Sequence, residues 1–211
     1  MALIQSTAIP SGATDYELEQ SLKFDDGGTP YLRWTPSSQG NRRIWTFSAW
    51  VKLGSGSGAR EIFLADRVTP LCSIGFNSSD QLQIYFDGAG DGHLRTTQLF
   101  RDKSAWYHLH IKLNTTNSTA SNRCKIYVNG EQITDFHTEN YPSHNAYYAW
   151  GKQNAIHNIG GEDTANPFDG YLAEVNFIDG QNLNPDNFGE TGTYGEWKPI
   201  EYSGTYGTNG F

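Results

Sequence analysis

The sequence predicts an all-β protein: a two-sheet antiparallel jelly-roll sandwich with an extended N-terminal arm and a C-terminal tail. Aromatic residues make up 14% of the 211 residues, and the chain has 23 glycines and one methionine, a composition that favours strands over helices. Short apolar runs are separated by Gly, Asp, Asn, Ser and Pro, as in antiparallel sheets. No helical period lasts long enough to connect parallel strands, so we expect antiparallel sheets packed face to face.

Three segments divide the chain. Residues 1–21 are polar, contain Pro10 and Gly12 and show no sustained period, so we expect an arm that orders only against a neighbour and serves for attachment. Residues 22–190 carry the strand patterns and are expected to form the sandwich. Residues 191–211 are rich in Gly, Thr and Tyr, and we expect an extension with few strands that leaves the domain.

The longer predicted strands follow from alternating patterns. Residues 43–53 give the strongest strand, whose outer face carries Trp50 and whose core face consists of Trp45, Phe47, Ala49, Val51 and Leu53. Residues 60–66, 71–77 and 81–87 continue the pattern. Residues 105–113 give the cleanest period, with an apolar side toward the core and a water-facing side that consists of Trp106, His108, His110 and Lys112.

The remaining predicted elements are shorter. Asn129-Gly130 lies between two β-rich runs and predicts a type I′ hairpin, because both central positions need positive φ. Residues 137–155 form a long aromatic loop, which precedes a short strand at 156–159 and a longer one at 168–180. Asn184 and Pro185 resemble the N-cap and first turn of one brief helix.

Charge and hydropathy exclude two classes of partner. The net charge is −8 and the Lys and Arg residues are scattered, so no basic stripe is present for nucleic acid. No run reaches the length of a membrane span, and the start lacks the pattern of a signal peptide, so we expect a protein made in a cytoplasm without membrane insertion. Cys72 and Cys124 alternate with apolar residues and are expected to be buried, reduced thiols.

Glu174 raises the question of catalysis, because it is a carboxylate inside an alternating strand with an Asp-Gly turn at each end. Retaining glycosidases need two carboxylates about 5 to 5.5 Å apart. The predicted face of Glu174 carries no second acid, since its neighbours there are Gly170, Leu172, Asn176 and Ile178. We therefore interpret Glu174 as structural and expect no catalytic residue.

Two aromatic sets are candidate ligand-binding surfaces, because flat rings with amides and carboxylates nearby suit sugars. The first lies on water-facing strand faces and consists of Trp50, Tyr85, Trp106, His108, His110 and Tyr127. The alternative is that a second layer, the arm or a neighbouring subunit covers this face. The second set lies in the long loop, where an exposed aromatic cluster indicates an interface or ligand site, and consists of Tyr141, Tyr147, Tyr148 and Trp150.

Acidic turns are candidate calcium ligands. The loops in question contain Asp25, Asp26, Asp87 and Asp91, although turn formation alone also explains Asp-Gly pairs. His108 and His110 have a spacing that can chelate a transition metal, but no acid or Cys joins them on the strand, so we interpret them as solvent-facing sheet residues. No cofactor other than structural Ca²⁺ is expected.

Several segments resemble one family: NRRIWTFSAWVK (41–52), DKSAWYHLHIKLNTT (102–116), KIYVNGEQIT (125–134), FDGYLAEVNFIDGQNLNPDNFGE (168–190) and YSGTYGTNGF (202–211). They are similar to the concanavalin A-like lectin/glucanase superfamily in its laminin-G-like form. Their sequences most resemble domains of marine bacteriophage virion proteins. The resemblance covers residues 22–211. It implies a jelly roll and a non-catalytic adhesion module, and residues 170–178 do not reproduce the acid-x-acid-x-x-acid strand of the glucanase branch.

The resemblance and the aromatic sets together suggest a function. We expect a bacteriophage virion surface protein, located on the virion as a tail fibre or receptor-binding module that contacts host surface glycans. The arm would attach it to other virion proteins, and homo-oligomerisation would multiply weak contacts. The alternative is a capsid decoration or cement protein with no sugar ligand. A glycan hydrolase is the third and least favoured class, because the acid pair is missing.

Overall fold

A computed structural model of the chain describes residues 16–28, 30–66, 71–86, 92–161 and 166–211. The described residues form fifteen strands: β1 (Leu22–Phe24), β2 (Leu32–Trp34), β3 (Ile44–Leu53), β4 (Arg60–Ala65), β5 (Cys72–Phe76), β6 (Gln81–Tyr85), β7 (His93–Leu99), β8 (Tyr107–Asn114), β9 (Cys124–Val128), β10 (Glu131–Gln132), β11 (Phe136–Asn140), β12 (His157–Ile159), β13 (Gly170–Asp179), β14 (Gly189–Thr191) and β15 (Trp197–Pro199). Two 3-10 turns span Ala120–Asn122 and Pro185–Asn187.

The strands form two large antiparallel sheets and one separate hairpin. The six-stranded sheet has the order β1, β13, β3, β8, β9, β10, and the seven-stranded sheet has the order β11, β7, β6, β5, β4, β12, β2. β14 pairs with β15. The predicted antiparallel jelly-roll sandwich is therefore confirmed. In the part of the chain that the structure describes, no helix is long and apolar enough to cross a membrane.

The core lies between the two large sheets and follows from the strand alternation. Trp45 and Phe47 of β3 point inward and are fully buried. Phe47 stacks on Phe63 of β4 with ring centroids 5.3 Å apart, and this contact joins the two sheets. Trp45 packs edge-on against Trp150 at 4.9 Å. Each large apolar side chain buried in this way contributes roughly 1.5–3 kcal/mol to folding.

A β-bulge interrupts β13 at Glu174. Leu172 belongs to the core, but the register shifts between Ala173 and Asn176, and Glu174 has a positive φ of 47°. Because the bulge inserts an extra residue, Phe177 points into the core and Asn176 lies on the outer face. The predicted face that grouped Leu172, Glu174 and Asn176 is therefore wrong.

The shorter predicted elements are present with one change. β9 and β10 are joined at Asn129 and Gly130, whose φ angles of 49° and 81° fit the predicted type I′ turn. The brief helix predicted at Asn184 and Pro185 is a single 3-10 turn, since the chain enters β14 directly afterwards. Both cysteines are buried thiols, as predicted.

The C-terminal segment, residues 181–211, folds back onto the sandwich. The N–H of Phe177 donates to the carbonyl of Phe211 at 2.9 Å, and the N–H of Phe211 donates back at 3.0 Å. β15 lies over the outer face of the six-stranded sheet, where Trp197 contacts His108. The expectation that residues 191–211 leave the domain is wrong, because their aromatic and backbone groups find partners on the sandwich. The domain boundaries at residues 21 and 190 stay predictions.

Gly130 leaves room for Trp197. A Cβ added at Gly130 would lie 2.5 Å from the indole ring, and φ there is +81°. We expect Gly130→Ala to lower the free energy of unfolding by at least about 1–2 kcal/mol, the usual cost of left-handed backbone in a residue with a Cβ, and to displace Trp197. Urea unfolding followed by tryptophan fluorescence measures both effects.

Gly58→Ala is the matched control, because a Cβ there meets nothing within 4 Å. Its unfolding curve should stay close to that of the unchanged protein. Equal destabilisation by the two substitutions would contradict the packing of Trp197 on the hairpin.

Candidate functional site

A groove of about 600 Å³ opens on the outer side of the six-stranded sheet, beside the β9–β10 hairpin. Its volume lies within the range of about 300–1,000 Å³ that is typical of small-ligand sites. We call it the tryptophan groove. It is lined by Trp50, Gln98, Trp106, Val128, Asn129, Glu131, Gln132, Ile133, Gly195, Glu196 and Trp197.

Three tryptophans from separate parts of the chain line this groove. Trp50 stands on the outer face of β3, because its neighbours in the strand point into the core, and it is 7% exposed. Trp106 directly precedes β8 and is 36% exposed. Trp197 belongs to β15 and is half-buried. The structure thus brings together two predicted residues, Trp50 and Trp106, with one that the sequence analysis assigned to a departing tail.

His108 fixes the position of Trp197. The indole Nε1–H donates to His108 Nδ1 at 2.9 Å, so the imidazole carries its proton on Nε2, which donates to Ser48 Oγ at 2.7 Å. Trp50 packs against the same imidazole with ring centroids 5.1 Å apart. Burial lowers the pKa of His108 to about 3, and the neutral form is the one whose Nδ1 can accept a hydrogen bond.

His110 lies under the C-terminal segment. Its Nε2–H donates to the carbonyl of Leu183 at 3.2 Å, and the ring of Phe188 lies 5.5 Å away. Burial, with a smaller effect of His108, lowers the pKa of His110 to about 3. Both histidines are 0% exposed, so the prediction that they face water is wrong. The alternative of a covering layer holds for them, and that layer is the chain's own C-terminal segment.

Amides and carboxylates accompany the tryptophans; the polar lining consists of Gln98, Asn129, Glu131, Gln132 and Glu196. Asn129 Oδ1 accepts the backbone N–H of His108 at 2.8 Å, which fixes the orientation of its amide. The carboxylate of Glu196 accepts the N–H of Tyr194 at 2.9 Å and shapes the β14–β15 turn. The groove therefore combines flat apolar walls with groups that can donate to and accept from hydroxyls.

Tyr85 and Tyr127 do not join this groove. Tyr85 lies in β6 of the other sheet and stacks on His93 with ring centroids 4.0 Å apart. Tyr127 is half-buried and packs edge-on against His110 at 5.5 Å. The first predicted set is therefore not one surface, because strand alternation says which face a residue takes but not which sheet it belongs to.

The aromatic loop is mostly core. Tyr148 and Trp150 are fully buried, so the predicted exposed cluster is wrong for them. Tyr141 is half-buried, and its hydroxyl donates to Glu139 at 3.0 Å; burial first, then that hydrogen bond, raises the pKa of Tyr141 to about 12. Tyr147 alone of the four is exposed, at 57%. The loop therefore exposes one aromatic ring of this set, where an exposed cluster was predicted.

The described acidic turns are held by backbone N–H groups. Asp25 Oδ1 accepts the N–H of Gly27 at 2.9 Å, and Asp26 is exposed beside it. Asp87 and Asp91 lie outside the described residues. Among the residues that are described, no three His, Cys, Asp or Glu side chains are grouped as metal ligands. A turn hydrogen bond accounts for the position of the Asp25 carboxylate. Calcium binding by these loops stays a prediction.

Glu174 connects the start of the described chain to the sheet. Its carboxylate accepts a hydrogen bond of 2.6 Å from the hydroxyl of Tyr16. This hydrogen bond is the largest cause that raises the pKa of Tyr16 to about 12. The bulge in β13 thus presents Glu174 to the end of the predicted arm, which is a structural role.

These features define a jelly-roll module with an aromatic groove on its outer face. The chain belongs to the concanavalin A-like lectin/glucanases superfamily, in its laminin G form, and residues 26–187 match that family. Among curated proteins, none matches the sequence.

Solved structures share the fold at low sequence identity. A heptameric SAP-like pentraxin from Limulus polyphemus superposes with a TM-score of 0.55 at 16% identity, covering 78% of this chain and 77% of its own. Domain 4 of the arabinanase AbnA from Geobacillus stearothermophilus, in complex with arabinotriose, superposes with a TM-score of 0.52 at 18% identity. The match covers 73% of this chain and 68% of that domain's chain. A putative carbohydrate binding protein from Bacteroides ovatus superposes with a TM-score of 0.54 at 16% identity. The match covers 81% of this chain and 46% of that protein's chain.

Buried neutral histidines make the fold sensitive to acid. Burial lowers the pKa of His108 and His110 to about 3 and that of His157 to about 4, against about 6.5 in an unfolded chain. The unfolded state therefore takes up protons first, and the stability these residues contribute is complete above about pH 6.5 and is lost as the pH falls. We expect the free energy of unfolding in urea to fall by about 1 kcal/mol per pH unit for each histidine between pH 6.5 and 5.

Gly58→Ala, which removes no titrating group and meets nothing within 4 Å, is the control and should reproduce the slope of the unchanged protein. The direct measurement is an NMR titration of the imidazoles between pH 8 and 5. Signals of His108 and His110 should not shift in that range, and a midpoint near pH 6.5 for either would contradict the burial of the neutral ring.

Proposed function

We propose that this protein is a non-catalytic carbohydrate-binding module whose tryptophan groove holds a glycan. The observation that carries the proposal is the meeting of Trp50, Trp106 and Trp197 with five amide and carboxylate side chains in one groove. Sugar rings present C–H faces that pack on indoles and hydroxyls that need hydrogen-bond partners, and the lining of the groove supplies both indoles and polar groups.

Two structural neighbours support the same class. One was solved in complex with arabinotriose, and another is described as a putative carbohydrate binding protein. At identities of 16–18% these neighbours establish the fold alone. The support from the groove is independent of them, because it comes from this chain's own side chains.

The acids of the groove do not favour hydrolysis. The carboxylate of Glu196 is engaged by the N–H of Tyr194, and both Glu131 and Glu196 are exposed. A general acid in a glycosidase is usually held protonated by apolar or like-charged surroundings. Glu174 is bound by Tyr16 and lies outside the lining of the groove. We therefore propose binding without bond cleavage.

The resemblance to phage virion domains supports the location. We propose that the module is displayed on a bacteriophage virion, where it contacts host surface glycans and where several copies multiply weak binding. Residues 1–21 would attach it to other virion proteins. A single glycan contact then need not be tight.

Trp106 is the most accessible indole of the groove, so it gives the sharpest test. We expect Trp106→Ala to weaken glycan binding at least tenfold, as truncation of a central aromatic residue in a binding site costs roughly 2 kcal/mol or more. Tyr147→Ala is the matched control, because Tyr147 is also exposed but lies in the loop. Glycan array binding followed by titration calorimetry measures both, and an effect of Tyr147→Ala without one of Trp106→Ala would move the site away from the groove.

A second candidate function, capsid decoration, is favoured by an apolar cleft on the opposite edge. Two cavities of about 460 and 380 Å³ share Leu32, Ile159 and Phe211, between the edge strands β1 and β2. Leu22 and Leu32 are 47% and 52% exposed. Exposed apolar surface of this kind suits burial against another protein. Glu174, which binds Tyr16, also lines this cleft.

Polar substitutions in the cleft separate the two functions. If the protein cements a capsid, we expect Leu22→Ser with Leu32→Ser to lower particle yield or heat stability, while glycan binding stays unchanged. Leu99→Ser, at an exposed leucine of β7, should alter neither. Normal particles that fail to adsorb after Trp106→Ala, but not after the cleft substitutions, would exclude the cement function.

A further inference from the structure

The charge of the tryptophan groove restricts the glycans it can hold. Among the described residues, the charged side chains of its lining are Glu131 and Glu196, and no Lys, Arg or His lines it. Both glutamates are exposed. A ligand laid on the indoles meets negative charge and no positive charge from this lining.

The two glutamates of the lining come from different elements. Glu131 begins β10, directly after the Asn129-Gly130 turn, and Glu196 directly precedes Trp197 in β15. Trp197 packs over Gly130, so both carboxylates are held near the same indole. Glu196 is oriented by the N–H of Tyr194. A sugar stacked on Trp197 therefore lies in a lining that contains both carboxylates.

The basic residues of this part of the protein are engaged elsewhere. Lys198, which follows Trp197, reaches Glu190 across the β14–β15 hairpin at 3.2 Å. The charge of Lys52 acts on the carboxylate of Asp102, and Lys52 is outside the lining of the groove. The whole chain has a net charge of −8, so long-range electrostatics repel anions as well.

From these observations we propose that the groove selects glycans without acidic groups: neutral chains bind, chains with amino sugars bind more tightly, and uronate, sialylated or sulfated chains are rejected. This inference rests on the proposed glycan-binding function. The physical reason is Coulombic, because two like charges about 4–5 Å apart in water repel by an amount equal to roughly fivefold in affinity. An amine at the same place gains a similar factor.

The test uses matched pairs of β-1,4-linked hexamers that share a linkage and differ at the one substituent that carries the charge. Cellohexaose is compared with oligoglucuronate, mannohexaose with oligomannuronate, and chitohexaose with its deacetylated glucosamine hexamer, each by titration calorimetry at 20 and 500 mM NaCl. In at least one pair we expect the neutral hexamer to bind at least fivefold more tightly than the uronate at low salt. The difference should shrink to less than about twofold at high salt, since added salt screens exposed charges.

Glu131→Gln identifies the source of the selectivity. It should bring uronate binding closer to neutral binding and weaken the advantage of the glucosamine hexamer, so that the ratio of neutral to uronate affinity falls toward one. Glu201→Gln is the matched control, because Glu201 is exposed, is outside the lining of the groove and removes the same net charge. An equal response to Glu201→Gln and Glu131→Gln would show that the net charge of the chain, and not the carboxylate in the groove, causes the selectivity.

The outcomes also distinguish this inference from the function on which it rests. Uronates that bind as tightly as neutral hexamers, with Trp106→Ala weakening both, would overturn the charge selection and leave the glycan groove in place. Absence of binding by all six hexamers and by a wider glycan array would overturn both. Neutral binding with rejection of the uronates, relieved by Glu131→Gln, supports both.

Discussion

The hydrogen bond from Trp197 Nε1 to His108 Nδ1 is the interaction on which the outer side of the protein depends. It joins the C-terminal hairpin to the central strand pair of the six-stranded sheet, and it requires a neutral imidazole. That imidazole in turn donates to Ser48, so both ring nitrogens of His108 are hydrogen-bonded. Breaking the bond to Trp197 would leave the buried Nδ1 of His108 without a partner, at a cost of about 1–3 kcal/mol, and would remove one wall of the groove.

The hairpin is held in this place from both of its sides. Before it, both oxygens of Asp179 accept backbone N–H groups, from Asn41 at 2.7 Å and from Asn209 at 3.0 Å. After it, Phe211 pairs with Phe177 in the manner of a short added strand. The C-terminal segment therefore covers one half of the outer face, where His110 is buried, and leaves the half with Trp106 open. The groove exists because this cover is partial.

The sequence pattern predicted the sandwich, the inward faces of β3 and β8 and the Asn129-Gly130 hairpin, because alternation and turn chemistry are local signals. It did not predict the C-terminal cover, since a pattern that shows the face opposite the core cannot show whether water or another layer lies there. His108 and Trp106 look alike at that level, yet one is buried and the other exposed. The bulge at Glu174 was also hidden, because a glutamate with positive φ carries no sequence signature.

The same cover explains why a site can be built from residues so far apart in the chain. Trp50 is held by the sheet and by His108, and Trp197 is held by His108 and lies over Gly130, so two of the three indoles have little freedom to lose when a ligand arrives. Ordering flexible side chains is one of the costs of binding, and walls that are already fixed reduce that cost. Trp106, the most exposed of the three, is then the indole that a ligand of the proposed kind would cover. An open groove with rigid walls is consistent with the proposed role, in which many copies multiply individually weak contacts.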